Sequence, residues 1–259
     1  MKIYCISLDE DHSRRDFLYS QFVEENVNFI FISAVKGNFL AAKKYFQYMH
    51  NHFRIYNRIL SPSEIGCTLS HIKALEEFID SGERYALILE DDVIGKDKDI
   101  ENIRIILKFL DFKGILMCGG QEGLPVDWQD YRYGRSSKID TELFLVNPYS
   151  IRFFSRTVCY VVDRTFALHY IQSNKKVIHL ADDWGGYFHN TTFSFYFKNI
   201  LSHPEDLINS HIESQRKLTQ NFLTNKSIFE SNFWFKCYRK LINLFFLIFS
   251  IFKKYDKIK

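Results

Sequence analysis

The chain holds only five cysteines in 259 residues, Cys5, Cys67, Cys118, Cys159 and Cys237, and no two are spaced Cys-x-x-Cys. An odd count without that spacing implies neither a disulfide framework nor a zinc site. Cysteines set in apolar patterns act instead as small hydrophobes. Proline and glycine are also scarce, at four and eleven, and neither a low-complexity linker nor an internal repeat divides the sequence. Gly119-Gly120-Gln121-Glu122-Gly123 has neither the Lys-Ser/Thr pair of a phosphate loop nor the Rossmann spacing. No apolar run reaches the roughly 20 residues that span a bilayer. The N-terminus enters a strand pattern directly, without a basic segment and apolar signal core, so a reduced, cytoplasmic setting is expected.

What is present suits one large α/β core. Residues of hydrophobic type make up 46% of the chain. The pattern predicts strand 2 to 8, helix 14 to 25, strand 29 to 34 and an irregular insert over 37 to 60. Helix 62 to 81, strand 85 to 89, helix 99 to 110 and strand 114 to 118 follow. Such alternation argues for a mainly parallel sheet covered by helices on both faces.

The chemistry concentrates at Tyr85-Ala86-Leu87-Ile88-Leu89-Glu90-Asp91-Asp92-Val93, where a short apolar run ends in three carboxylates. Ligands collect at the carboxyl ends of strands in α/β sheets. Three adjacent acids repel one another unless a cation sits among them, and oxygen ligands suit Mg²⁺ or Mn²⁺ bridging to a phosphate. A lone Glu-Asp-Asp is more often a solvated turn, so its neighbours matter.

Upstream, Ser61-Pro62-Ser63-Glu64 forms a capping box with proline at the first helical position. Ile65, Leu69, Ile72, Leu75 and Ile79 continue at helical spacing, and Gly82 is placed to end the helix. Ser70 and His71 lie side by side on it.

Leu60 to His71, followed by Tyr85 to Val93, resembles the signature of glycosyltransferase family 25, which pairs a Glu-Ile-Gly-Cys-x-x-Ser-His helix with a Leu-Glu-Asp-Asp-Val strand end. That family includes lipooligosaccharide and lipopolysaccharide galactosyltransferases of Gram-negative bacteria. Ile3 to Leu8 with Ser13-Arg14-Arg15, Cys159 to Ala167, and Ala181-Asp182-Asp183-Trp184 are consistent with it, and the likeness covers about the first two hundred residues. It implies a GT-A-like single domain. It also implies inverting transfer of a sugar from a UDP-sugar, galactose first and glucose as the alternative, in beta linkage, possibly beta-1,4, to a saccharide acceptor of lipooligosaccharide or lipopolysaccharide. Ser7, Arg15, Ser70, His71 and Tyr160 are donor-binding positions by this resemblance.

In such a transfer, charge develops on a departing diphosphate, where a divalent cation held by carboxylates is stabilising. Asp92 is placed on the metal, and Glu90 on a metal-linked water or the ribose; Asp91 points the other way along the strand. A carboxylate must also take the acceptor proton. Asp182 is the first choice and Asp183 the second, although an aspartate before Trp-Gly-Gly-Tyr would also cap a short helix. Trp184 and Tyr187 are expected to offer a flat wall to a sugar ring.

Residues 226–259 carry eight basic and two acidic side chains, a net +6, which leaves −3 for residues 1–225 of the chain's +3. The stretch Leu241 to Phe252 is apolar and aromatic apart from Asn243 and Ser250. This pattern predicts an amphipathic helix lying in an anionic membrane interface beside a lipid-linked acceptor, with packing on the core as the alternative. A catalytic domain over 1–225 and a membrane-association tail over 226–259 follow. Nucleic-acid binding is disfavoured, because the main domain is acidic. A metal-dependent phosphoryl or nucleotidyl transferase would need a phosphate-cradling lysine that is not seen, and a membrane scaffold would need only the tail.

Overall fold

The computed structural model describes residues 1–204, Gln215, Leu241, Leu244, Ile248 and 255–258. The first half alternates as the pattern predicts: β1 (Lys2–Ser7), α1 (His12–Gln21), β2 (Phe29–Ser33), α2 (Ala42–Tyr56), α3 (Pro62–Asp80), β3 (Tyr85–Glu90), α4 (Asp97–Phe109) and β4 (Gly114–Gly119). The insert expected to be irregular contains the fifteen-residue helix α2. Its inward face is Tyr45, Tyr48, Met49 and His52, at helical spacing but built largely of polar-tipped rings and a histidine, while Phe46, Phe53 and Ile55 are exposed, so an apolar stripe does not mark the buried side. Next come α5 (Val126–Gln129), β5 (Tyr133–Ser136), β6 (Phe144–Val146), β7 (Cys159–Asp163), α6 (Arg164–Lys176), α7 (Trp184–Tyr187), β8 (Ser194–Leu201) and β9 (Asp256–Lys257).

These strands form one nine-stranded sheet in the order β2-β1-β3-β7-β4-β8-β6-β5-β9. The sheet is mixed, which corrects the mainly parallel expectation. β1 runs parallel to β2 and β3, and β4 to β8. β7 lies antiparallel between β3 and β4, and the β8-β6-β5-β9 edge is antiparallel throughout. The reason lies after β4, where the chain forms a β5-β6 hairpin and re-enters the centre through β7 from the opposite end. Alternation in the first half says nothing about that return.

Central strands are buried on both faces, which explains their unbroken apolar runs. Tyr4, Ile6, Ile88, Met117, Tyr160 and Val162 pack with α3 and α6. Ile3, Cys5, Leu87, Leu89, Leu116 and Val161 pack on the other face with α1 and α4. The predicted start of α3 is present: Ser61 Oγ accepts from the Glu64 amide (3.2 Å), and Glu64 Oε2 accepts from the Ser61 amide (2.8 Å). Gly66 lets α3 approach the chain after β2, since a Cβ there would stand 2.4 Å from the Val35 carbonyl oxygen.

Most of the expected C-terminal amphipathic helix lies outside the described residues. Leu241, Leu244 and Ile248 are helical and exposed. Beyond them the chain returns to the sheet, where β9 pairs with β5 and Ile258 is buried in the core.

Candidate active site

Parallel pairing of β1 with β3 places Ile6 opposite Glu90, so Ser7 and the three acids emerge at the same sheet edge. Arg14 and Arg15 project there from α1. The Arg14 guanidinium donates to Asp91 (2.8 Å) and approaches Asp92 at 3.4 Å. Arg15 donates to Ser7 Oγ (3.0 Å) and to the Leu8 carbonyl (3.2 Å), with its guanidinium carbon 4.9 Å from the Phe31 ring centre. Arg14 thus joins the acid cluster more directly than Arg15, and the Arg-Arg pair was the only sequence signal for it.

The three acids have different surroundings. Asp91 is buried, and that burial pushes its carboxyl up against the opposing effect of Arg14. Burial acts in the same sense on Asp92, but His203 and Arg14 outweigh it and leave that carboxyl below the usual value. Asp92 Oδ2 lies 3.6 Å from His203 Nε2, while Oδ1 is buried with no hydrogen-bond partner among the described residues. A buried carboxylate oxygen without a partner is costly and points to a missing cationic or donor group. Glu90 Oε1 accepts from the Thr157 hydroxyl and lies 3.2 Å from His71 Nε2.

His71 is held from both sides. Tyr160 Oη lies 3.0 Å from Nδ1, and burial pushes the Tyr160 hydroxyl well above its ordinary value, so it stays protonated. A tautomer with its proton on Nε2 satisfies both contacts: Tyr160 donates to Nδ1, and Nε2–H donates to Glu90. One helical turn earlier, Cys67 brings ligand atoms of Cys67, His71 and Glu90 within 4.8 Å of one another. That sulfur and nitrogen set suits a softer ion than Mn²⁺, whereas the oxygens of Glu90 and Asp92 suit a hard one. Ser70 faces away from this cluster: its hydroxyl donates to the Gly66 carbonyl (2.7 Å) and accepts from the Val35 amide (2.8 Å), fastening α3 to the chain after β2.

A fourth acid reaches the cluster through the turn Ser155-Arg156-Thr157. Asp182 Oδ2 accepts from the Ser155 hydroxyl and from the Arg156 amide (2.9 Å), while Thr157 on the other side binds Glu90. Arg156 adopts φ 66°, and its guanidinium is in electrostatic range of Glu122, Asp92, Glu90 and Asp182. Burial pulls that guanidinium down, and the four carboxylates oppose the shift. No sequence pattern marked Arg156; its position depends on a turn with a left-handed backbone.

Asp183 has a different task. It caps α7 by accepting from the Gly186 amide (3.0 Å), and lies 3.4 Å from His179 Nδ1. Trp184 and Tyr187 are each only 1% exposed, which corrects their expected role as an open sugar wall. Trp184 donates its indole N–H to the Arg156 carbonyl (3.0 Å) and meets Tyr160 edge-on at 5.4 Å. Tyr187 stacks on Tyr170 at 4.2 Å and donates to the Leu180 carbonyl. Both rings are drawn into the apolar core beneath the site and buttress the residues that line it.

A Haemophilus influenzae protein named only provisionally as a glycosyltransferase is 33% identical over 92 residues, covering 35% of this chain and 32% of that protein. The chain therefore spans about a third of the length of that relative. A crystal structure of an STIV protein aligns over 80% of this chain and 87% of its own at 12% identity, with a TM-score of 0.40, a likeness too loose to bear on function. The model of glycosyltransferase family 25 (LPS biosynthesis protein) matches residues 1–184, well over half of the sequence, and these residues contain the helix α3, the acidic end of β3, Asp182 and Asp183. The chain belongs to glycosyltransferase family 25.

Proposed function

We propose that this chain is a metal-dependent, inverting glycosyltransferase that moves a sugar from a UDP-sugar to a saccharide acceptor of bacterial lipooligosaccharide or lipopolysaccharide. Galactose is the first donor sugar to test and glucose the second. The observation that carries the reading is the partnerless, buried Asp92 Oδ1 at the end of β3, with Arg14 beside it and Asp182 held across the Ser155–Thr157 turn.

Asp92 and Glu90 would hold Mn²⁺ or Mg²⁺, which when bound supplies charge stabilisation to the departing diphosphate. The chain's own residues supply the rest. Arg14 and Arg156 place positive charge beside the acids, where phosphate oxygens are stabilised. Ser7 and Arg15 set the shape of the loop after β1. Tyr160 and His71 fix the Glu90 carboxylate, and Ser70 holds α3 in place. Asp182 takes the proton of the acceptor hydroxyl as that oxygen forms its bond to the sugar's anomeric carbon and the bond to UDP breaks. Asp183, engaged in capping α7, is the weaker candidate.

The basic tail is the reading's membrane element, drawing the enzyme to the inner face of the cytoplasmic membrane where a lipid-linked acceptor is displayed. Incubation with UDP-galactose, UDP-glucose and Mn²⁺ tests the enzyme assignment: UDP release that requires Asp92 supports it, and its absence with every UDP-sugar and with either metal overturns it. Vesicle flotation of the full chain with Arg239→Glu and Lys240→Glu tests the tail, since unchanged binding removes it from the account.

A further inference from the structure

Helix α2 presents a second surface of unusual composition. From Asn26 to Ser63 the sequence contains no aspartate or glutamate, yet it carries Lys36, Lys43, Lys44, Arg54 and Arg58. Lys36 pairs with Glu10 and Arg58 with Glu64. Lys43, Lys44 and Arg54 are exposed and form no ion pair among the described residues. Among these charges stand large apolar side chains in solvent: Phe39 is 82% exposed, Phe46 58% and Ile55 61%, with Phe53 also exposed. Phe46 and Phe53 are two helical turns apart, so they share a face, which Lys43, His50 and Arg54 flank.

The opposite side of α2 is fixed to the site. His52 Nδ1 lies 2.8 Å from the Ile178 carbonyl, and Tyr56 Oη lies 3.1 Å from His179 Nδ1. Those residues begin the loop that ends in Asp182. The Gln215 side chain accepts from the Ser63 amide (3.0 Å) and donates to Asn38 Oδ1 (2.8 Å), residues that flank the segment holding α2. The tail carries +6 and the acid-free stretch carries +5. A cationic surface set with exposed aromatic rings is complemented by an anionic one.

We propose that the outward face of α2, with Phe39, is a membrane-docking surface within the catalytic domain, and that its occupant is an anionic phospholipid bilayer. Phe39, Phe46 and Phe53 enter the headgroup boundary while Lys43, Lys44 and Arg54 meet lipid phosphates. Docking on this face brings the 178–183 loop, and Asp182 with it, toward the surface where the acceptor lies. The inference extends the membrane part of the proposed function and is independent of the sugar-transfer part.

The test uses the full chain carrying Lys43→Glu with Lys44→Glu. Acidic residues in the first turn favour a helix, so loss of α2 would not account for an effect. Binding to vesicles containing anionic phosphatidylglycerol should fall at least about thirtyfold relative to the unaltered chain, with UDP-sugar hydrolysis unchanged. Separately, Phe46→Trp should show fluorescence quenched by brominated lipid in anionic vesicles and not in neutral ones. Binding unchanged by the charge reversal overturns the proposal and leaves the tail as the contact. So does a Phe46→Trp signal that lipid-free protein already shields from aqueous quenchers, which would show the tail or a second copy covering α2. Vesicle binding that behaves as expected in a chain inert toward every UDP-sugar would sink the transferase reading alone.

Discussion

His71 Nε2 lies 3.2 Å from Glu90 Oε1, so helix α3 is coupled directly to the acidic end of β3. The two family motifs are about fourteen residues apart in sequence and meet through this contact. Glu90 is thereby oriented by one helix, while Asp92 two residues on is oriented by another through Arg14. Neighbouring acids held by different elements can keep distinct roles.

Asp92→Asn conserves shape but removes the charge. A metal at such a site contributes several kcal/mol of charge stabilisation, so turnover should fall about a thousandfold with little change in thermal stability. UDP release with Mn²⁺, read beside a melting curve, checks this; retained Mn²⁺-dependent turnover would remove Asp92 from the metal.

Tyr160→Phe takes away the hydroxyl that faces His71 Nδ1 and leaves a buried ring nitrogen unpaired. The cost should be about 1–3 kcal/mol in denaturant unfolding. With the tautomer no longer fixed, kcat should drop while KM for the donor changes less. A variant with normal stability and normal kcat would show that the hydrogen bond is dispensable.

Gly66→Ala should disturb the site from a distance. The added methyl would stand 2.4 Å from the Val35 carbonyl oxygen and 2.7 Å from the Gly37 nitrogen, both backbone atoms. Forced separation of α3 from that segment should cost about 1–3 kcal/mol and move His71. Ser61→Ala should also cost about 1 kcal/mol through the lost cap, but with kcat retained. Comparing the pair by urea melts and kinetics separates helix stability from helix placement.

Glu25 and Arg104 form a two-pronged ion pair joining the turn before β2 to α4, with Arg104 Nη2 2.7 Å from Oε2. The Arg104 contact is the main cause that holds the Glu25 carboxyl below its ordinary 4.5. A depressed acid stabilises the fold above its unfolded value and loses that contribution as pH falls through the folded one. Arg104→Gln should therefore cost up to about 1 kcal/mol at neutral pH and converge with the unaltered chain in acid. Urea melts across pH 3 to 7 measure the gap; a constant difference would rule out a charge origin.

Local order fixed much of this protein in advance. The cap at Ser61, the apolar period of α3, the run of β3 and the acids after it depend on neighbours along the chain, and each is where its pattern puts it. The two family motifs and the division of charge between body and tail are likewise properties of order alone. Tertiary contacts decided the remainder. β7 enters antiparallel between β3 and β4, and a strand's direction in a sheet depends on the path between strands. Trp184 and Tyr187 became core rather than wall because a ring beside an acid packs on whichever face the fold encloses. Arg156 gathers carboxylates from β3, from the segment after β4 and from the loop before α7, which are distant in sequence and meet only once the sheet has closed around them.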